Sequence, residues 1–381
     1  MTTFAINERD RFPATRVEIS GRWLFGPGPS NADPRILAAM SLPPIGHLDP
    51  DFLTLMNESQ SLLRYAWQTE NPMTIPVSGT GSAAMEATLA NTVEPGDVVL
   101  VAVKGYFGHR LVDMAGRYGA DVRKITKPWG EVFNLEELTE AIATHKPAIL
   151  AIVHAETSTG VRQPLEGLGE VCRANNCLLL VDTVTSLGAV PIFLDKWGID
   201  LSYSCSQKGL GCPPGIGPFT MSPRAVEKMQ NRATKVANWY LDMSLLSHYW
   251  GNDRTYHHTA PINMNYAIRE GLYLLAEEGI ENSWKRHQEN AESLWAGLEE
   301  LGLECLVDKA YRLPTLTTVR VPDGLDAKAI ATKLRIEYNM EIGLGLGELA
   351  GKVWRIGLMG YNSKPEKVLL LLAALKKVLK P

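Results

Sequence analysis

The sequence predicts an α/β protein, its larger part built on a mostly parallel sheet and its C-terminal part a smaller α+β unit. Three observations carry that prediction. Continuous apolar runs at 98–103, 148–153 and 178–181 read as strands buried on both faces. Segments with helical spacing separate them, as right-handed crossovers between parallel strands require. After about position 260 the pattern changes to one long helix followed by short β-like and helical stretches.

Taken in order, the turn Ser78-Gly79-Thr80-Gly81 precedes a helix over 82–91 made of good helix formers. The run VVLVAV at 98–103 follows as the first buried strand. Asn134 with Glu137 makes a capping box, and the helix it opens puts Leu135, Leu138 and Ile142 on one face. A second strand covers 148–153. Leu165, Leu168, Val171 and Cys172 then keep helical spacing. The third strand, 178–181, ends at Asp182, and a short β-like segment at 200–204 leads into Ser206-Gln207-Lys208.

Further on, Trp284, Ala291, Leu294, Trp295, Leu298 and Leu301 form the stripe of a long helix. Asn282 or Ser283 is its expected cap. Residues 313–321 and 353–358 are β-like, 326–336 helical, and a last helix begins near Ser363 with Pro365 in its first turn. The long helix is expected to join the two parts. The expected division is an N-terminal arm over 1–21, a large domain over 22–278 and a small domain over 279–381.

Composition narrows the function. Of 381 residues, 45% are hydrophobic and 21% charged, enough for a large buried core. The net charge is −4 with no run of Lys or Arg, which argues against nucleic acid as a partner. Charges near the N-terminus argue against a secretory signal, and the apolar run 368–375 is too short to span a bilayer. The five cysteines are an odd number without a Cys-x-x-Cys pair, which suits free thiols in a reducing cytoplasm. No metal is expected. His257 and His258 are adjacent, so they point to different faces of any regular element.

The chemistry starts at Asp182. Ligands of open α/β sheets bind beyond the carboxyl ends of strands, so an acid there can hold a cationic ring nitrogen, or merely shape the loop. Lys208 alone in its Gly-rich loop reads as solvated surface. Together the two suit a cofactor that carries an aldehyde, which needs an amine for a Schiff base and an acid for its pyridine nitrogen. Ser78-Gly79-Thr80-Gly81-Ser82 before a helix offers N–H groups and hydroxyls to a phosphate. It is neither a Walker loop nor a dinucleotide Gly-x-Gly-x-x-Gly, and Gly343-Leu-Gly-Leu-Gly347 lacks the βαβ context for the latter.

The ordered segments SGTGS (78–82), KGYFGHR (104–110), HAETSTG (154–160), VDTVTSLG (181–188), SCSQKGLGCPPG (204–215), YHHTAP (256–261) and WRIGLMG (354–360) resemble class V aminotransferases of fold type I, in particular the alanine–glyoxylate / serine–pyruvate group. The resemblance runs from Gly26-Pro27-Gly28-Pro29-Ser30 to the last helix. It implies pyridoxal 5′-phosphate as cofactor and a seven-stranded, mostly parallel sheet in the large domain. By the same resemblance Lys208 forms the Schiff base and shuttles the α-carbon proton. Asp182 pairs with the pyridinium nitrogen, Val184 packs on one ring face and Phe107 stacks on the other. Mammalian-type relatives carry Trp at the Phe107 position. Thr157 bonds near the ring oxygen. Thr80, Gly81, Ser82 and Gln207 hold the phosphate, and Tyr256 and Thr259 reach the phosphate of a neighbouring subunit's cofactor in a homodimer. Arg355 takes the substrate α-carboxylate, and Gly26 and Gly28 line the substrate pocket.

The implied activity is ping-pong transfer of the amino group of alanine or serine to glyoxylate or pyruvate. Hydroxykynurenine transamination and cysteine desulfuration are the alternatives within the class. Desulfurases use a cysteine on a mobile C-terminal loop, and no cysteine lies between Cys212 and Cys305. A nicotinamide dehydrogenase lacks its early glycine motif here, and a non-catalytic scaffold has no need of Asp182 with Lys208.

Overall fold

A computed structural model of the chain describes residue 19 and residues 21–379. The apolar runs become the centre of a seven-stranded sheet. Its order is Met73–Ser78, Ile216–Met221, Leu201–Tyr203, Leu178–Asp182, Ile149–Val153, Val98–Val103, Asp121–Thr126. Ile216–Met221 runs antiparallel to both its neighbours, and the other strands share one direction.

The central strands lack polar alternation because helices cover both faces. Val99, Val101 and Val103 point to the side of the helices Gly81–Thr92 and Tyr106–Arg117, packing with Ala84, Leu111 and Ala115. Leu100 and Ala102 point the other way, to Leu138, Ile142, Leu168 and Cys172 of the helices Leu135–His145 and Leu168–Ala174. The period of two in a strand assigns neighbouring residues to opposite cores.

A smaller, four-stranded sheet has the order Trp23–Phe25, Met340–Leu344, Val353–Gly357, Leu316–Arg320. The helices Ile280–Glu300, Ala327–Tyr338 and Pro365–Leu379 pack on it through Leu294, Leu298, Leu334, Leu371 and Leu375. Trp23–Phe25, expected within the large domain, pairs in parallel with Met340–Leu344 of this sheet. The first described strand thus belongs with the last ones. The expected arm over 1–21 lies almost wholly outside the described residues.

The capping box is present: Glu137 N–H donates to Asn134 Oδ1 at 2.8 Å and Asn134 N–H to Glu137 Oε2 at 2.9 Å. The cap expected for the long helix is not. That helix starts at Ile280, straight after Gly279 at φ 83°. A preceding helix, Ile262–Glu278, runs up to that glycine, which makes the bend between the two. Asn282 Nδ2 therefore donates back to Glu278 O, and Ser283 Oγ to Gly188 O, each at 2.7 Å.

Candidate active site

The strands Leu178–Asp182 and Leu201–Tyr203 lie side by side with Asp182 opposite Tyr203. Both end at the carboxyl edge of the sheet, where open α/β sheets bind their ligands. Asp182 is 2% exposed. It accepts from Tyr203 O–H at 2.7 Å and from Val184 N–H at 2.8 Å. Burial pushes its carboxyl up to about 6, and the two donors hold it from rising further.

Lys208 lies on the loop that follows Leu201–Tyr203 and is buried, not solvated. Its Nζ donates to the carbonyl of Pro27. Burial lowers its ammonium to about 8, with Cys205 and Asp182 opposing and the Arg355 cation adding to the effect. Gly28 explains how the loop carrying Pro27 comes so close. A Cβ there stands 2.6 Å from Lys208 Nζ, and φ is +112°.

The helix Gly81–Thr92 starts beside this loop. The Thr80 side chain makes no cap bond, and among the described residues the N–H groups of Gly81 and Ser82 meet no acceptor. A Cβ on Gly81 would stand 2.7 Å from Cys205 Cβ, so glycine lets the helix start press against the segment leading to Lys208. Gln207 Oε1 is buried without a partner. Free donors at a helix start and the Thr80 and Ser82 hydroxyls form a cup suited to an anion, to which a half-turn of the Gln207 side-chain amide would add its NH2 donors.

Between cup and acid the walls are half-buried Val184 and Phe107 and buried Thr157. Thr157 Oγ1 lies 2.5 Å from Thr185 Oγ1. Arg355 enters from the other sheet, on Val353–Gly357, and is 6% exposed. Nε donates to Leu344 O at 2.8 Å and Nη1 to Thr157 O at 3.2 Å. Among the described residues Nη2 has no acceptor. Burial lowers this guanidinium to about 10, with Glu156 opposing.

Lys208, Asp182, Thr157, Val184, Gln207, Gly28 and Arg355 are thus brought together, with Gly81 packed against the segment that leads to Lys208 and Thr80, Ser82 and Phe107 beside it. Tyr256 and Thr259 do not join it within one chain. Tyr256 is 57% exposed with its ring against His47 at 5.1 Å between centroids, and Thr259 is exposed.

Reasoning from sequence missed several neighbours. Tyr203 was visible in principle, because parallel pairing of 178–182 with 200–204 sets it beside the acid. Lys104 carried no signal, since a lysine closing an apolar strand reads as solvated. It is 1% exposed, and its Nζ donates to Val153 O at 2.7 Å. Burial lowers it to about 8, with Glu156 and Asp182 opposing. Glu156 accepts through Oε1 from Ser158 N–H at 3.1 Å and Oγ–H at 2.6 Å, and its Oε2 is buried without a partner.

A buried amine, a buried acid, an anion cup at a helix start and a nearby guanidinium fit an aldehyde-bearing pyridine phosphate together with an amino-acid substrate. Among the described residues no cluster of three or more His, Cys, Asp or Glu could hold a metal. Residues 23–366 match the family described as aminotransferase class-V. The chain belongs to that family.

This aminotransferase has close relatives of known structure and name. The alanine–glyoxylate aminotransferase of Callithrix jacchus is 47% identical over 367 residues, 95% of this chain and 89% of its own. The solved alanine–glyoxylate aminotransferase of Nostoc sp. is 68% identical, covers 99% of this chain and 100% of its own, and superposes with a TM-score of 0.98. The ureidoglycine–glyoxylate aminotransferase of Bacillus subtilis is 40% identical with a TM-score of 0.94, covering 96% of this chain and 94% of its own. The aminotransferase is a transaminase of the fold the motifs implied, and its seven-stranded, mostly parallel sheet is the one that resemblance called for.

Proposed function

We propose that this aminotransferase transfers the amino group of a small amino acid, alanine or serine, to glyoxylate, with pyridoxal 5′-phosphate bound at Lys208 in a ping-pong cycle. The observation that carries the reading is the burial of Asp182 at a strand end and of Lys208 on the loop after the neighbouring strand, with Arg355 close enough for its charge to act on Lys208. The named relatives support the acceptor. Their donors differ, alanine in one case and ureidoglycine in another, while glyoxylate is common to both names.

When bound, the cofactor supplies an electron sink for the bond pair released at the substrate α-carbon. The rest is work for the chain. Lys208, with its ammonium lowered to about 8, has a sizeable neutral fraction near physiological pH, as a nucleophile and proton carrier needs. It tethers the cofactor through Nζ and then moves the proton at the substrate α-carbon. Asp182 keeps positive charge on the ring nitrogen. Val184 and Phe107 would hold the ring, and Thr157 would hydrogen-bond near its oxygen. Thr80, Gly81, Ser82 and Gln207 hold the phosphate. Arg355 receives the substrate carboxylate on Nη2 while Nε and Nη1 stay fixed by carbonyls. Gly28 leaves the space beside the amine free of a side chain, since a Cβ there would collide with Lys208.

Tyr256 and Thr259, exposed on their own chain, complete the phosphate site of a second copy, so the working unit is a homodimer. The division at 278–279 separates the cofactor-bearing part from the part that carries Arg355. The five cysteines are free and buried, which suits the cytoplasm. Among the described residues no helix is long and apolar enough to cross a membrane. Desulfuration is disfavoured, since Cys305 is buried at a bridge to Val319 and not on a mobile loop.

A panel of amino donors against glyoxylate and pyruvate, with identification of the keto-acid product, tests the proposal. Turnover of alanine or serine with glyoxylate is the expected result. Glyoxylate left unaminated by every small donor would sink it.

A further inference from the structure

A bound phosphate monoester brings close to two negative charges, and a dianion removed from water needs positive charge as well as hydrogen-bond donors. The cup residues Thr80, Gly81, Ser82 and Gln207 are all uncharged. Lys208 is committed to the cofactor aldehyde in the reading above. His258 adjoins the same turn, with Nε2 2.7 Å from Ser78 Oγ, but burial lowers its imidazolium to about 4 and leaves it neutral at physiological pH. The helix start contributes only about half a charge.

Arg110 stands where the missing charge is needed. It projects from the second turn of Tyr106–Arg117 toward the first turn of Gly81–Thr92, where Nη1 donates to Ser82 Oγ at 3.3 Å. Its guanidinium lies over the Phe107 ring, 4.9 Å from the centroid, and 5.6 Å from that of Tyr106. These two rings and one hydroxyl hold it in place. Among the described residues it has no carboxylate partner, and no other Lys or Arg side chain hydrogen-bonds a cup residue. Guanidinium has five N–H donors in a rigid fork, so most remain for an incoming anion.

We propose that Arg110 is a cofactor-binding residue that supplies the cation of the phosphate cup, oriented by Ser82 and Phe107. This assignment rests on the cofactor reading of Lys208 and Asp182. Ser82 then has two functions: its N–H faces the phosphate and its Oγ aims the guanidinium. Phe107 couples the ring slot to the charge that holds the phosphate.

The experiment compares pyridoxal phosphate with pyridoxal, which has the same ring and aldehyde but no phosphate. Protein stripped of cofactor is titrated with each, following quenching of tryptophan fluorescence, for the parent, Arg110→Gln and Arg110→Lys. Thermal unfolding of the stripped proteins checks that each is folded. Arg110→Gln is expected to bind pyridoxal phosphate roughly ten- to a hundredfold more weakly than the parent, the range for losing a charge-assisted hydrogen bond. Its pyridoxal affinity should stay unchanged, Arg110→Lys should recover part of the loss, and inorganic phosphate should compete less well in Arg110→Gln. Equal losses for both ligands would place Arg110 behind the ring, acting through Phe107, and overturn the assignment. So would unchanged cofactor binding combined with a lost affinity for the amino acid. A parent protein that binds pyridoxal phosphate no better than pyridoxal removes the cofactor reading itself, an outcome distinct from either of these.

Discussion

The phenol of Tyr203 donates to Asp182 Oδ2 at 2.7 Å from the neighbouring strand. This bond favours the carboxylate over the carboxylic acid, and it opposes burial, which pushes the group up to about 6. Tyr203→Phe removes the donor and raises the Asp182 carboxyl. The acid therefore protonates at a higher pH. The acidic limb of the amino-acid half-reaction should move up by about one pH unit, with less change at alkaline pH. The pH profile of single-turnover rates measures it, and a limb at the parent's position would show that Asp182 does not need the phenol.

Lys208→Ala should abolish covalent attachment of the cofactor while leaving the cup and Asp182 in place. Borohydride treatment followed by mass spectrometry of the intact chain gives the answer. An adduct retained in the variant would remove Lys208 from its role.

Arg355→Ala is expected to weaken amino-acid binding by about 2–4 kcal/mol, the usual result of breaking a desolvated charge pair. Arg355→Lys should recover little, because a point charge replaces a fork whose Nε and Nη1 are already held by carbonyls of Leu344 and Thr157. Half-reaction rates against alanine concentration separate affinity from chemistry. An unchanged saturation curve would refute the assignment.

Lys104 bears on stability. Burial lowers its folded-state value from 10.5 to about 8, so between those values the unfolded chain holds a proton that the folded chain has released. Stability rises with pH wherever the unfolded state binds more protons. Replacement by an uncharged side chain of similar length removes this dependence. Lys104→Met should exceed the parent at pH 7 by a few kcal/mol at most, an advantage that shrinks as pH climbs from 8 toward 10.5. Denaturant unfolding of both proteins at several pH values tests this, and a gap that does not vary with pH would contradict it.

How much of this could be read from the residues alone depends on the range of the interaction. The run VVLVAV became Val98–Val103 without adjustment, because a strand buried on both faces has to be apolar throughout. The capping box at Asn134 was legible for the same local reason. Lys208, Asp182 and Arg355 were marked by ordered motifs, and the fold brings them within reach of one another's charge. What stayed hidden depends on partners far along the chain. Asn282 and Ser283 looked like caps, yet the helix start is set by Gly279 and the helix before it. Trp23–Phe25 gave no hint that its partner is Met340–Leu344. The strand Ile216–Met221 carries Gly217, Pro218 and Thr220 in place of a continuous apolar run, so neither its place in the sheet nor its antiparallel direction shows in the residues. Lys104 was unreadable because nothing local distinguishes a buried lysine from a solvated one.

Arg355 is carried by the four-stranded sheet and Asp182 by the seven-stranded one, and among the contacts bridging them is a single bond from Arg355 Nη1 to the backbone of Thr157. Under the proposed function, an amino acid held by its carboxylate at Arg355 and by its nitrogen beside Lys208 would span that seam like a rivet. Bound substrate would then tie the two sheets to each other, and its departure as keto acid would free the joint again.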